Sequence, residues 1–404
     1  MKRVFFVLLV ITAFSISNRA QTAVTVFEGA RVIAGDGQAP IENATIVVDG
    51  ARITQVGRAA DVKAPAGATR VSLTGKTVMP TIIDTHTHLS QEREALTQDL
   101  RRRVYYGVSA AMSLGQDTGE APFQIRAQPI PGAARFFTAG RGFSAPEPGR
   151  TTAPYWITTT AEARKGVQEL AAKKVDIVKV WVDDRNGQYK KLTPDLYGAV
   201  IDEAHKNSLR VTAHLFTLED AKGLWKAGID AFAHGVRDRD IDDEFLAMVK
   251  TRPAFVLVPN LPDRGVKTDL SWLKTSLPPA ELQKLEAGNT DRPEAQTQFG
   301  IQARNLAKMN AAGVRIAVGS DGNTPWAPHA EMADMVAAGM TPMQVLVAAT
   351  RNGAEFLRMT DAGTIAAGKS ADFIVLDANP LDDITNTRRI ASVYLRGVVV
   401  DRTK

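Results

Sequence analysis

Four histidines, one lysine and one aspartate occupy positions in this chain from which they could act together. The run Ile82-Ile83-Asp84-Thr85-His86-Thr87-His88 puts two imidazoles two residues apart at the end of an apolar stretch. Successive side chains of a strand alternate faces, so Asp84, His86 and His88 point the same way. Two such imidazoles can grip one metal ion, with Asp84 one step deeper as a carboxylate that orients them. Alone, the spacing also fits two exposed strand histidines. In Asp176-Ile177-Val178-Lys179-Val180-Trp181 a lysine interrupts an apolar run. Burying an ammonium is costly, so Lys179 either snorkels at a strand end or is held neutral. A neutral lysine amine can react with CO2, and the resulting carbamate is a two-oxygen anion able to bridge two cations. His214 ends Val211-Thr212-Ala213, and His234 ends Ala231-Phe232-Ala233, 20 residues later. Asp321 ends Ile316-Ala317-Val318-Gly319-Ser320. A carboxylate there could instead cap a helix. His329 follows, where it could face the same pocket.

These residues need elements that bring their strand ends together. From about Val78 to Met359, short apolar runs alternate with amphipathic helical stretches. Ile177–Val182 precedes a helix near Pro194–Asn207, Arg210–Phe216 precedes Leu218–Ala227, and Ala231–Val236 precedes Asp242–Lys250. Phe255–Pro259 precedes a long helix near Gln296–Ala312, and Arg315–Gly319 precedes Ala330–Gly339. Such alternation predicts βαβ units and a parallel sheet. The number of repeats favours an α/β fold of the (β/α)8 TIM-barrel type over a doubly wound open sheet, which would also want a Gly-rich dinucleotide fingerprint. Barrel sites lie at the C-terminal ends of the strands, where all six residues fall. Nitrogen and oxygen donors without thiolate suit zinc, and also manganese, iron or nickel. Before and after this region the chain has β-rich runs at Val24–Phe27, Ala44–Val48, Arg52–Val56, Asp372–Leu376 and Ala391–Val400. They predict a small β-sandwich domain formed by both termini. The expected division is a signal peptide over 1–20, sandwich over 21–79, barrel over 80–359, and sandwich again over 360–404. Gly140–Thr158 and Leu261–Pro293 stand out as long loops.

Composition narrows the setting. Lys2 and Arg3 precede an apolar run from Val4 to Phe14, followed by small and polar residues up to Ala20. That is the pattern of a secretory signal, and the run is too short for a membrane span of about 20 residues. The chain is therefore expected to be secreted or periplasmic, with no stable membrane anchor. It has 404 residues and no Cys. An exported chain without disulfides must rely on its core, which a large domain can do. Thiol nucleophiles and thiolate ligands are excluded. The formal charge is +5, and losing Lys2, Arg3 and Arg19 leaves +2. With no long basic run, a nucleic-acid partner is not indicated.

Taken together, the sequence resembles the amidohydrolase superfamily in its two-metal subtype with a carboxylated lysine. It also resembles the imidazolonepropionase-like and Xaa-Pro-dipeptidase-like exported members. Val78-Met79-Pro80 leading into Asp84–His88 resembles the family's first metal strand, Asp176–Val180 its lysine strand, and Gly363–Asp372 the return of the chain into the sandwich. The resemblance implies two divalent metal ions, zinc foremost. His86, His88 and Asp321 would bind one ion and His214 and His234 the other. N6-carboxylated Lys179 and a hydroxide would bridge them. It further implies hydrolysis of an amide, peptide-like or cyclic amide bond of a small molecule by that hydroxide, with Asp321 as general acid and base. Lactone or ester hydrolysis is the nearest rival, and a non-catalytic binding protein on the same fold is the rival from another class. The sequence departs from the family at Thr81, where Gly usually follows the Pro. It departs again at Thr138-Ala139-Gly140-Arg141-Gly142, where many peptidase-like relatives carry a His. Arg141 is expected instead to bind a substrate carboxylate or to be a surface residue, and His329 to face the substrate. A homo-oligomer remains open.

Overall fold

A computed structural model of the chain describes residues 24–403. The signal-like segment over 1–20 lies outside the described residues. Strands β1 (Thr25–Val32), β2 (Ile41–Asp49), β3 (Arg52–Arg58), β4 (Thr69–Ser72) and β5 (Thr77–Pro80) come first. They share one eight-stranded sheet with β16 (Phe373–Leu376), β17 (Ile390–Leu395) and β18 (Val398–Val399) from the other end of the chain. The two ends meet where β16 runs antiparallel to β5, Ile374 opposite Met79. β1 pairs in parallel with β4 over residues 25–28 and then with β5 at Arg31 and Val32. Gly29, at φ +84, makes that change of partner; a Cβ on it would press on Thr74 Oγ1 at 2.7 Å. The predicted run Ala391–Val400 is a hairpin of β17 and β18, with Arg396 and Gly397 both at positive φ as a tight two-residue hairpin turn requires. Phe27, Phe373 and Tyr394 pack their rings edge-on and stacked within this part of the molecule.

Between these ends the chain alternates strand and helix. β6 (Ile82–Thr87), α1 (Arg93–Tyr105), β7 (Val108–Ser113), α2 (Ala121–Ala127) and β8 (Arg135–Thr138) lead into two short strands, β9 (Phe143–Ser144) and β10 (Tyr155–Trp156). Then come α3 (Thr160–Ala172), β11 (Val178–Val182), α4 (Pro194–Lys206), β12 (Val211–Leu215), α5 (Leu218–Lys226), β13 (Ala231–Ala233), α6 (Asp243–Val249) and β14 (Val256–Val258). After α7 (Pro279–Gly288) and α8 (Pro293–Ala311) follow β15 (Arg315–Ile316), α9 (Ala327–Ala337), α10 (Pro342–Val347) and α11 (Gly353–Phe356). The strands are parallel throughout, in sheets ordered β6-β7-β8 and β10-β9-β11-β12-β13-β14-β15. Backbone bonds join the sheets on both sides. Thr85 N donates to Val318 O at 2.9 Å and Asp176 N to Thr138 O at 2.9 Å. The fold is thus α/β with parallel sheets, as the alternation predicts.

Burial explains the sequence pattern. Ile83, Ala110, Met112, Ala231, Ala233, Val256, Val258 and Ala317 form one buried cluster along the strands. A larger cluster packs the outer strand faces against the helices. Parallel strands covered on both faces are apolar along their length, which is why the lysine and histidines stand out. Caps set the helix starts: Thr159 and Glu162 form a capping box on α3, and Thr217 and Asp242 cap α5 and α6. The stretch Leu261–Pro293, expected as a loop, contains helix α7. Pro278 and Pro279 would fit a loop equally well, but here they sit at a helix start, which tolerates proline. Gly140–Thr158 is irregular apart from β9 and β10. Among the described residues no helix is long and apolar enough to cross a membrane.

Phe373 is fully buried and touches the rings of both Phe27 and Tyr394. Phe373→Ala is expected to destabilise the protein by about 3–5 kcal/mol, read by chemical denaturation. A loss below about 1 kcal/mol would show that the two chain ends do not share a core.

Candidate metal centre

The end of β6 and the extension of β15 form the heart of the site. Ser320 N and Asp321 N both donate to the carbonyl of His86, at 3.0 and 2.8 Å. This sets the Asp321 carboxylate among imidazoles. Its Oδ1 lies 3.2 Å from His86 Nε2 and 3.1 Å from His88 Nε2, and its Oδ2 lies 3.4 Å from His234 Nε2. Ligand atoms of His86, His88 and Asp321 all lie within 4.8 Å of one another. The rings run on as a chain, with centroids 5.3 Å apart for His88–His86, 5.1 Å for His86–His234 and 4.8 Å for His234–His214. Three residues at strand ends here, His234, Asn260 and Asp321, have φ of 110°, 42° and 49°. Left-handed backbone at three non-glycine positions is strain that the surrounding packing must hold.

The electrostatics follow from burial. It lowers His86 to about 4 and His214 to about 3, and pushes His234 well below its ordinary value. The imidazoles are therefore neutral near pH 7, the form that binds metal. Burial alone would raise Asp321, but the surrounding imidazoles outweigh it and hold the carboxyl well below the usual range. Lys179 does not snorkel. It is fully buried, its Nζ has no hydrogen-bond partner, and it lies 5.3 Å over the Trp181 ring. Burial lowers its amine to about 7. His86 Nε2, His88 Nδ1 and His234 Nδ1 are likewise buried without a hydrogen-bond partner. Buried polar atoms are normally satisfied, so His86 Nε2 and Lys179 Nζ left open, in a group where three imidazole nitrogens gather at one carboxylate, fit divalent cations.

His214 is placed differently. It lies beside His234, but its Nε2 meets Asp183 Oδ2 at 2.8 Å, with Arg185 Nη1 3.4 Å away. Burial would raise Asp183, yet His214 and Arg185 hold it well below the carboxylate range. A cavity of about 240 Å³ opens over the group, lined by His86, His88, Trp181, Arg185, His214, His234 and Asp321 among others.

Residues 77–400 match the Amidohydrolase family. The chain belongs to that family. It is 26% identical over 378 residues to the imidazolonepropionase of Deinococcus radiodurans, covering 88% of this chain and 92% of that one. It is 24% identical over 432 residues to the ochratoxinase of Aspergillus niger, covering 91% and 84%. Among solved structures, a protein of Bifidobacterium longum provisionally described as a prolidase aligns with TM-score 0.77 and 28% identity, over 94% of this chain and 95% of that one.

Three sequence expectations about this amidohydrolase need correction. Asp84 does not touch the imidazole rings. Its carboxylate takes the N–H and hydroxyl of Ser320, at 3.0 and 2.6 Å, so it braces the strand that carries Asp321. Burial raises Asp84 to about 6. The His86 ring is oriented instead by Asn260, whose Oδ1 lies 2.7 Å from Nδ1. Arg141 does not line the cavity over the metal-binding group. Its guanidinium donates to the carbonyls of Thr152, Ala153 and Pro154 and stacks 4.2 Å over Tyr155. It therefore pins the Gly140–Thr158 loop, and these bonds leave little of its fork for a substrate carboxylate. His329 does not line that cavity. It is buried, with Nδ1 3.0 Å from Thr387 Oγ1 and Nε2 2.9 Å from the carbonyl of Tyr106, both nitrogens engaged within the fold. The sequence reading missed Asn260, Asp183 and Arg185. Each sits just past a strand end, and that position was the only available signal.

Gly319 lies where three of these groups meet. A Cβ there would be 2.6 Å from Val258 Cγ1, 2.7 Å from His86 Cβ and 2.9 Å from Asn260 Nδ2. Gly319→Ala must push His86 off Asn260 and is expected to lower metal affinity by about tenfold or more, measured by competition with a chelator. Unchanged affinity would mean that this bond does not set the His86 ring.

Proposed function

We propose that this amidohydrolase is an exported, metal-dependent enzyme that hydrolyses an amide, peptide-like or cyclic amide bond of a small molecule. The fold reading behind this is a closed (β/α)8 barrel of β6, β7, β8 and β11 through β15. Backbone bonds at both junctions of the two parallel sheets support closure. The β-sheet built from the chain ends would be its second domain. The observation that carries the functional reading is the gathering of three imidazole nitrogens, from His86, His88 and His234, within 3.4 Å of the Asp321 carboxylate, with buried His86 Nε2 lacking a hydrogen-bond partner.

Under this reading His86, His88 and Asp321 would hold one divalent ion and His214 and His234 the other, and Lys179 as its carbamate would add a further anionic ligand. Zinc suits this donor set. Two such ions would make a water nucleophilic near neutral pH and polarise the substrate carbonyl. The chain's own groups supply the rest. Asp321, ionised and facing the cavity, takes a proton on a carboxylate oxygen and returns it to the departing nitrogen. His86, braced by Asn260, and His88 keep that carboxylate in place. His214 must give up its Nε2 contact with Asp183 if it is to use that nitrogen as a ligand. The named relatives, an imidazolonepropionase and an ochratoxinase, support a small-molecule substrate.

The deciding experiment is elemental analysis of the purified protein, with turnover of N-acyl amino acids, dipeptides, cyclic amides and lactones before and after chelation. About two metals per chain and chelation-sensitive amide hydrolysis are expected. Turnover of lactones alone would replace the amide reading, and no metal after reconstitution would end it. Asp321→Asn should remove turnover, by at least about a hundredfold, while far-UV circular dichroism stays unchanged.

Lys179 gives a second test. Its amine, lowered to about 7 by burial, is largely neutral above that pH and can add CO2, releasing one proton as the carbamate forms. Protein loaded in 13C-bicarbonate at pH 8 should show one carbamate carbon by NMR, absent in Lys179→Met. The signal should weaken as pH falls below about 7 and the ammonium form takes over. A signal that persists in Lys179→Met would assign the carbamate elsewhere.

A further inference from the structure

Glu331 is an acid on the buried face of α9 that forms no ion pair with any described residue. Burial, and after it the acids Asp334 and Asp84, push its carboxyl well above the ordinary range. An apolar side chain would fill this position without that cost. What the carboxyl does hold is backbone. Leu261 N donates to both of its oxygens, at 3.2 and 3.0 Å, and the N–H of Asn260 also faces it. Helix α9 thus grips the turn that follows β14, 70 residues earlier in the chain. Glu331 does not line the cavity over the histidines, so what it does there it does through that turn.

The turn carries the residue that orients His86. Asn260 has left-handed backbone, with φ at 42°, a conformation that persists where the surroundings hold it. Its side chain makes one bond, Oδ1 to His86 Nδ1 at 2.7 Å, while Nδ2 is buried without a partner. Where Oδ1 sits is therefore set by the backbone that carries it. Without the Glu331 carboxyl, the Leu261 N–H loses its acceptor and the turn has to move to find another. We propose that Glu331 is a positioning residue for the metal centre. Its carboxyl fixes the backbone of Asn260 and Leu261, and Asn260 holds the His86 ring by its Nδ1 proton. His86 Nε2 then stays open beside Asp321 Oδ1, 3.2 Å away. The effect on metal binding rests on the metal reading above; the ring geometry rests on these hydrogen bonds alone.

The test uses the purified full-length protein. Buried and hydrogen-bonded, the His86 Nδ1 proton should give an NMR signal that exchanges slowly with water and is missing in Asn260→Ala. Glu331→Leu should speed its exchange by about tenfold or more, while Glu331→Gln, which keeps one acceptor oxygen, should restore much of the protection. Competition with a chelator should show metal bound about tenfold more weakly by Glu331→Leu. The double variant Glu331→Leu/Asn260→Ala should bind metal no more weakly than Asn260→Ala alone, because both changes cut the same chain of bonds. Losses that multiply in the double variant would overturn the proposal, as would an Nδ1 proton unchanged in Glu331→Leu. If Glu331→Leu does not fold, Glu331→Asp, which withdraws the carboxyl by one methylene, carries the same measurements with the same outcomes. If the proton behaves as expected but the protein holds no metal, the positioning role stands and the metal reading fails.

Discussion

Two backbone hydrogen bonds, from Ser320 and Asp321 to the carbonyl of His86, hold the extension of the last strand against the first. Almost every feature of the site depends on them. They put a carboxylate from residue 321 within 3.4 Å of imidazoles from residues 86, 88 and 234. They also bring Ser320 to the buried carboxylate of Asp84, whose bonds to it lock the same junction from below. At Gly319 the strands are so close that no side chain fits. The left-handed backbone at Asp321 is tolerated because this junction holds it on both sides.

Burial then decides the chemical state of the groups so assembled. Water is excluded from His86, His234 and Lys179, so their neutral forms are favoured and their nitrogen lone pairs stay available. Asp321 is partly open to the cavity and is surrounded by imidazoles, so it keeps its charge. One anion among neutral donors is an arrangement that attracts cations more than protons. His214 shows the complementary case, since Asp183 and Arg185 tie its ring into a polar network at the rim. The two halves of the site are therefore held by different means, one by backbone pairing across a strand junction and the other by side-chain bonds from the segment after β11.

Two polar residues that looked functional turned out to serve the scaffold. His329 bridges α9, the short 3-10 helix Ile384–Arg388 and the end of α1 from a buried position. Arg141 folds back on its own loop. Both found intramolecular partners that engage their polar atoms.

The sequence by itself determined the alternation of strands and helices, the pairing of the two chain ends as β-rich segments, and the family. It also determined which residues could be ligands. A lysine or histidine inside or just after an apolar strand contrasts with its neighbours; His214 and His234 lie at strand ends as the spacing predicts, whereas Lys179 is the second residue of β11. Helix α7 escaped because its prolines also fit a loop. The partners of those residues were decided only by the tertiary structure. Asn260 and Asp183 touch groups dozens of residues away, and nothing in their own neighbourhoods distinguishes them from ordinary loop residues. The same holds for the roles of Asp84, Arg141 and His329. A side chain's type fixes what it can bond, but only the packing of distant segments decides whether that capacity is used inside the protein or left for a ligand.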